Sequence, residues 1–124
     1  MKIAIIEDEE ILAKILKEKL EKEKFEVGIA VNGEEAMPLI ERFQPDIIIL
    51  DLILPRKSGL DVLRELKARS DLKPIPVIVL SNLGDDENIK EALQLGAEDY
   101  LVKTQHPINE VIEKIKYRLF SKSK

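Results

Sequence analysis

Cysteine is absent from the 124 residues, which excludes disulfides and thiolate metal sites and fits a reducing compartment. No apolar stretch approaches the ~20 residues that a membrane span requires. Long basic runs are missing as well, and the formal net charge is −4, so nucleic acid is a poor direct partner. Met1 runs straight into a strand pattern, leaving no room for a signal peptide. There is no repeat, low-complexity segment or internal linker. The expectation is one soluble cytoplasmic domain, long enough to bury a core without staples.

What the chain does have is a steady alternation of apolar β-type runs and helical patterns, the mark of an α/β fold with a parallel sheet. Lys2 to Ile6 reads as the first strand. Ile11, Leu12, Ile15, Leu16 and Leu20 then recur at helical spacing. Phe25 to Val31 is the second strand, closed by the turn pair Asn32-Gly33, and Ala36, Met37, Ile40 and Phe43 mark the second helix. The unbroken run Ile47–Leu50 suits a strand covered on both faces. A loop from Leu52 to Ser58 leads to Gly59 and a helix carrying Leu60, Leu63 and Leu66. Val77–Leu80 is the fourth strand, Glu87–Leu95 a helix closed by Gly96, and Tyr100–Val102 the fifth strand. Pro107 suits a first helical turn before the stripe Ile108, Val111, Ile112, Ile115 and Leu119. Ser121–Lys124 is a polar tail expected to fray, which leaves residues 1–120 as the domain.

Three acids stand just past two of these strands. Ile3–Ile6 delivers Glu7 and Asp8, and Ile47–Leu50 delivers Asp51. In open parallel sheets, ligand sites form outside the carboxyl ends of the strands, at the point where the strand order reverses. Right-handed crossovers leave few orders for five β-α units. The flavodoxin-like, doubly wound order 2-1-3-4-5 puts strands one and three side by side, so the three acids share a cleft whose rim also carries Ser81 and Lys103. Two unit charges about 5 Å apart repel by roughly 3 kcal/mol at an effective dielectric near 20. A cluster of that kind points to a bound cation and to phosphate chemistry.

Each residue alone has a plainer reading. Asp51 is also a cap or a solvated loop acid. Glu7-Asp8-Glu9-Glu10 is also a set of first-turn acids complementing a helix dipole, the role expected of Glu9 and Glu10. Ser81 is also an N-cap, and Lys103 a surface lysine. Their joint occurrence at four strand ends is what favours the sharper reading. Magnesium takes hard oxygen ligands from one or two carboxylates plus phosphate, and a carboxylate can attack phosphorus to give an acyl phosphate. Asp51 would then attack, Glu7 and Asp8 would hold the metal, Lys103 would pair with phosphoryl oxygens, and Ser81 would hydrogen-bond one of them.

Taken in order, Ile5-Ile6-Glu7-Asp8-Glu9, Asn32-Gly33-Glu34-Glu35-Ala36, Pro45 to Leu52 with Pro55 and Gly59, Val79-Leu80-Ser81 and Gly96 to Lys103 cover essentially the whole chain. In this set the chain resembles the receiver domains of two-component response regulators. The resemblance implies that Asp51 takes phosphate from a sensor histidine kinase or phosphotransfer protein. It implies that Glu7, Asp8, Asp51 and the backbone carbonyl of Ile53 bind Mg2+, that Lys103 is the family's lysine, and that Ser81 and Tyr100 are the switch pair. The surface of the fourth helix, fifth strand and fifth helix would then change for a downstream protein target or a homodimer. Such a domain promotes only its own phosphorylation and dephosphorylation and is not otherwise an enzyme.

Some positions depart from the family pattern. Thr104 replaces a proline, and a cis Lys-Thr bond would cost roughly 2.5–4 kcal/mol, so a trans or strained bond is expected. Arg56 and Lys57 add positive charge to the loop after Asp51. Asn82 stands where a small residue is common and is expected to narrow water access. Tyr117 and Phe120 lie off the apolar stripe of the last helix, either exposed for a partner or folded back on the domain. If the chain is complete, output is by protein contact; if cut, a DNA-binding or enzymatic domain follows. A flavodoxin-type cofactor binder is disfavoured by the acids after strand one, and a haloacid-dehalogenase-type phosphatase by Ile53 at the general-acid position. A receiver-like interaction domain that is never phosphorylated is the remaining rival.

Overall fold

The computed structural model describes residues 1–121. Apart from Ser121, the expected polar tail lies outside the described residues. The elements are β1 (Lys2–Ile6), α1 (Glu10–Lys22), β2 (Glu26–Ala30), α2 (Gly33–Phe43), β3 (Ile47–Leu50), α3 (Gly59–Ala68), β4 (Val77–Ser81), α4 (Asp86–Leu95), β5 (Asp99–Val102) and α5 (Ile108–Phe120). The five strands form one sheet in the order β2-β1-β3-β4-β5, every pairing parallel. This is the expected flavodoxin-like arrangement.

Strand alternation divides the core in two, because successive side chains point to opposite faces. Ala4, Ile6, Ile48, Leu50, Val77 and Val79 pack with Ala36 and Ile40 of α2, Leu63 and Leu66 of α3, and Ala92 of α4. Ile3, Ile5, Ile47, Ile49, Ile78 and Leu80 face the other way, onto Ala13, Leu16 and Leu20 of α1 and Val111, Ile112 and Ile115 of α5. The sheet is therefore covered by three helices on one face and two on the other. All four residues of β3 are buried, as its unbroken apolar run requires.

Local chemistry sets the helix boundaries. Asn32 caps α2, accepting from the Glu35 N–H at 2.9 Å, and Ser58 caps α3, accepting from Asp61 at 3.1 Å. Asp85 caps α4 through the Asn88 N–H at 3.3 Å, and Gly96 ends that helix at φ 116°, a left-handed conformation that glycine adopts without a Cβ penalty. Pro107 is the residue just before α5.

Several expectations need adjusting. Ile11 is 77% exposed: the buried face of α1 runs through Ala13, Leu16 and Leu20 instead, with Leu12 and Ile15 at its edges. β2 is shorter than the apolar pattern at both ends, while β4 extends to include Ser81. The two off-stripe aromatics part company. Tyr117 is 74% exposed, and Phe120, though 59% exposed, also stacks on Phe25 with ring centroids 6.0 Å apart. Among the described residues no helix is long and apolar enough to cross a membrane.

Candidate functional site

Register builds the site before any side chain acts. Ile6 is paired with Leu50, so the next residue on each strand leaves the sheet at the same level. The Asp51 N–H donates to the Ile6 carbonyl at 3.0 Å, and the Glu7 N–H donates to that of Ala30 at 2.9 Å. Glu7 and Asp51 are thereby buried, at 2% and 3% exposure, while Asp8 beside them is open to solvent. One carboxylate oxygen from each of Glu7, Asp8 and Asp51 lies within 4.8 Å of the others.

Backbone amides aim the two buried acids. Asp51 Oδ1 accepts from the Ile53 N–H at 3.0 Å, and Glu7 Oε2 accepts from the Glu9 N–H at 3.0 Å. Burial raises the Glu7 pKa to about 7, against hydrogen bonds from Lys103 and the Glu9 amide, with the Asp51 charge adding to the rise.

Lys103 closes the cluster from the end of β5, where its N–H donates to the Ser81 carbonyl at 2.9 Å. Its ammonium lies 2.8 Å from Asp51 Oδ2, 2.9 Å from Glu7 Oε1 and 2.6 Å from Glu9 Oε2. Burial works against the charged ammonium, and hydrogen bonds to Asp51, Glu9 and Glu7 more than offset it, holding the pKa above the usual lysine value. No cis peptide occurs in the described chain, so the Lys103–Thr104 bond is trans and still delivers the lysine to the acids.

Ser81 is fully buried as the last residue of β4, and its Oγ accepts the Leu83 N–H at 3.3 Å. It caps no helix. Tyr100, 9% exposed, donates its hydroxyl to the Leu83 carbonyl. Burial raises the Tyr100 pKa, with Asp85 and Asp51 adding to it and the nearby Ser81 hydroxyl opposing. Leu83 therefore bonds both residues of the expected switch pair, one through its N–H and the other through its carbonyl.

The loop after Asp51 is pinned by close backbone approach. A Cβ on Gly59 would sit 2.1 Å from the Asp51 carbonyl oxygen, and one on Gly33 would sit 1.8 Å from that of Lys57. Gly33 also donates its N–H to the Pro55 carbonyl at 3.1 Å. The two added positive charges are engaged locally, Arg56 with Glu34 at 3.4 Å and Lys57 with Glu65. Asn82 is exposed just beyond Ser81.

Glu9 and Leu83 are the residues that sequence reasoning missed. Glu9, at the N-cap where it can complement the helix dipole, makes no cap bond and also reaches Lys103. Chemically, three clustered carboxylates match the hard-oxygen set of a divalent cation that keeps several waters. The spacing allows the three acids to share one ion. Asp51, like Glu7, is held by both a backbone amide and the Lys103 ammonium, which leaves it aligned rather than free to rotate.

The family profile described as response regulator receiver domain matches residues 3–116. The phosphate regulon transcriptional regulatory protein PhoB of Rhizobium meliloti is 40% identical over 102 residues, covering 82% of this chain and 45% of that protein. The chain thus spans less than half the length of curated relatives it matches. A two-component response regulator from Clostridium difficile superposes with a TM-score of 0.90 at 27% identity, over 100% of this chain and 99% of that one. The BeF3-activated N-terminal receiver domain of Klebsiella pneumoniae RstA superposes with a TM-score of 0.84 at 29% identity, over 99% and 100% of the two chains.

Proposed function

The chain belongs to the response regulator receiver domain family, and on that premise we propose that Asp51 accepts a phosphoryl group from a histidine kinase or phosphotransfer protein. The observation that carries this reading is the position of Asp51: buried, held by the Ile53 amide and the Lys103 ammonium, and within 4.8 Å of Glu7 and Asp8. Glu7, Asp8, Asp51 and the Ile53 carbonyl would hold Mg2+. When bound, the ion would offset the repulsion among the acids and neutralise charge on the transferring group.

The chain's own residues supply alignment and charge, which is most of what phosphoryl transfer requires. An Asp51 oxygen attacks phosphorus as the donor's bond to phosphorus breaks. Lys103 turns from Asp51 toward a phosphoryl oxygen, and Ser81 exchanges its bond to Leu83 for one to another. Because Leu83 also accepts from Tyr100, a movement of Ser81 reaches the aromatic ring. A two-state element whose states differ in their contacts to the phosphoryl group shifts its population accordingly. The surface of α4, β5 and α5 is then offered to a downstream protein or to a second copy of the chain. The cytoplasm is where such a kinase-fed switch would work, and the domain would turn over no other substrate.

A second reading follows from one finding. PhoB of Rhizobium meliloti is a transcriptional regulatory protein of which this chain matches 45%. The chain would in that case be the receiver of a longer DNA-binding regulator, and phosphorylation would act on an attached output domain.

Incubation with acetyl phosphate tests the first reading. In the presence of magnesium the native chain should gain one phosphoryl group by intact mass, and none after chelation with EDTA. Labelling that persists without a divalent ion would overturn it.

A further inference from the structure

Glu9 is the member of the cluster that the phosphoryl-acceptor reading does not use. It is not one of the three acids grouped closely enough to share a cation. It sits at the N-cap of α1 and its side chain makes no cap bond, which leaves the carboxylate free to reach elsewhere. Its carboxylate instead crosses to Lys103, at 2.6 Å the shortest of that lysine's three acid contacts. Glu7 and Asp51 are buried, whereas the Glu9 side chain is 53% exposed, so Glu9 stands on the solvent side of the ammonium, where a donor from solution must arrive.

Resting on the receiver reading, we infer that Glu9 is a specificity-determining residue that discriminates against small dianionic phosphodonors by cancelling, at the mouth of the site, the attraction that Lys103 would exert on them. The Lys103 ammonium is the side-chain cation in contact with these acids among the described residues, and a carboxylate touching it on the solvent side adds negative charge along the donor's approach, whether or not a metal is bound among the other acids. The penalty scales with the donor's charge. Acetyl phosphate meets it as a dianion, while phosphoramidate at neutral pH carries one negative charge less. The transfer itself is unchanged: an Asp51 oxygen–phosphorus bond forms, the donor's bond to phosphorus breaks, and acetate leaves with its electron pair, or ammonia leaves from phosphoramidate.

Glu9→Gln keeps the side chain's shape and removes its charge, and the exposed, uncapped position leaves folding intact, which thermal unfolding checks. With magnesium at low ionic strength, the rate of Asp51 phosphorylation by acetyl phosphate should rise about three- to tenfold over native. With phosphoramidate the gain should stay under about twofold, and added salt near 1 M should erase the difference between donors. An acetyl phosphate rate no higher than native, or a gain equal for both donors at every salt concentration, would overturn the inference. A native chain that accepts phosphate from neither donor would instead defeat the receiver reading, and this inference with it.

Discussion

Asp51→Asn should take no phosphoryl group from acetyl phosphate and magnesium, under conditions that label the native chain. An amide oxygen can still accept the Ile53 N–H that orients the side chain, so the fold and the turn persist. What is lost is the nucleophile: only an ionised carboxylate gives an acyl phosphate. The effect is therefore all or none in intact mass. Because Asp51 is buried and points at an ammonium, its substitution also removes one of the charges that raise the Glu7 pKa. Labelling of the variant at the native level would place the phosphoryl group elsewhere, with Asp8 an exposed acid of the same cluster, and would remove Asp51 as the acceptor.

Lys103→Met should act on stability and on transfer together. The substitution keeps an unbranched stem and deletes the one cation, among the described residues, in contact with Glu7, Glu9 and Asp51. Removing one partner of a buried ion pair leaves an uncompensated charge, at a cost of roughly 3–5 kcal/mol, and here two buried carboxylates are left. Metal-free protein at neutral pH should melt well below native. Magnesium should recover much of the loss, because a cation among the same acids replaces the missing charge. Acid should recover it too. The variant's deficit belongs to the ionised acids, so it shrinks as acid protonates Glu7, whose pKa of about 7 in the native chain rises further once the lysine that lowers it is gone. Phosphorylation should slow by on the order of a hundredfold even with magnesium, the scale of losing one charged donor to the reacting group. A variant as stable as native at every pH and magnesium concentration would show that Lys103 is a surface lysine.

The strands were legible because their composition leaves little choice. Ile47–Leu50 and Val77–Leu80 are β-branched or apolar throughout, and both lie buried in the sheet centre. Helix ends were legible where a turn pair precedes a helical pattern, as at Asn32-Gly33, and where glycine ends one, as at Gly96. Helix faces were read less well. Ile11 fits helical spacing, yet it is the small Ala13 that packs against the sheet while Ile11 stays exposed. Spacing alone does not weigh a close-packing alanine against an isoleucine at a helix end.

The acids of the site were legible because strand ends in a parallel sheet are functional positions, and sequence order brought Glu7, Asp8, Asp51 and Lys103 together correctly. Glu9 and Leu83 were not legible, each for a physical reason. A glutamate at a helix start looks the same whether it serves the dipole or a lysine 94 positions away. Leu83 contributes only backbone atoms, to Ser81 and to Tyr100, and backbone partners leave no trace in residue type. The charge added by Arg56 and Lys57 was visible, but its pairing with Glu34 and Glu65 depends on how the loop folds back against α2 and α3.

Glu7, Asp8 and Asp51 must share one divalent ion for Asp51 to act as acceptor, and calorimetric titration of the metal-free chain with magnesium across pH tests that most directly. A metal-binding carboxylate must be ionised, and burial pushes the Glu7 pKa up to about 7. Binding should therefore be to one site, level in affinity above about pH 8 and weaker by up to about tenfold per unit below about pH 6, and it should be lost in Asp8→Asn. Magnesium that binds with the same affinity to native and Asp8→Asn chains, or that does not bind at all, would contradict the account.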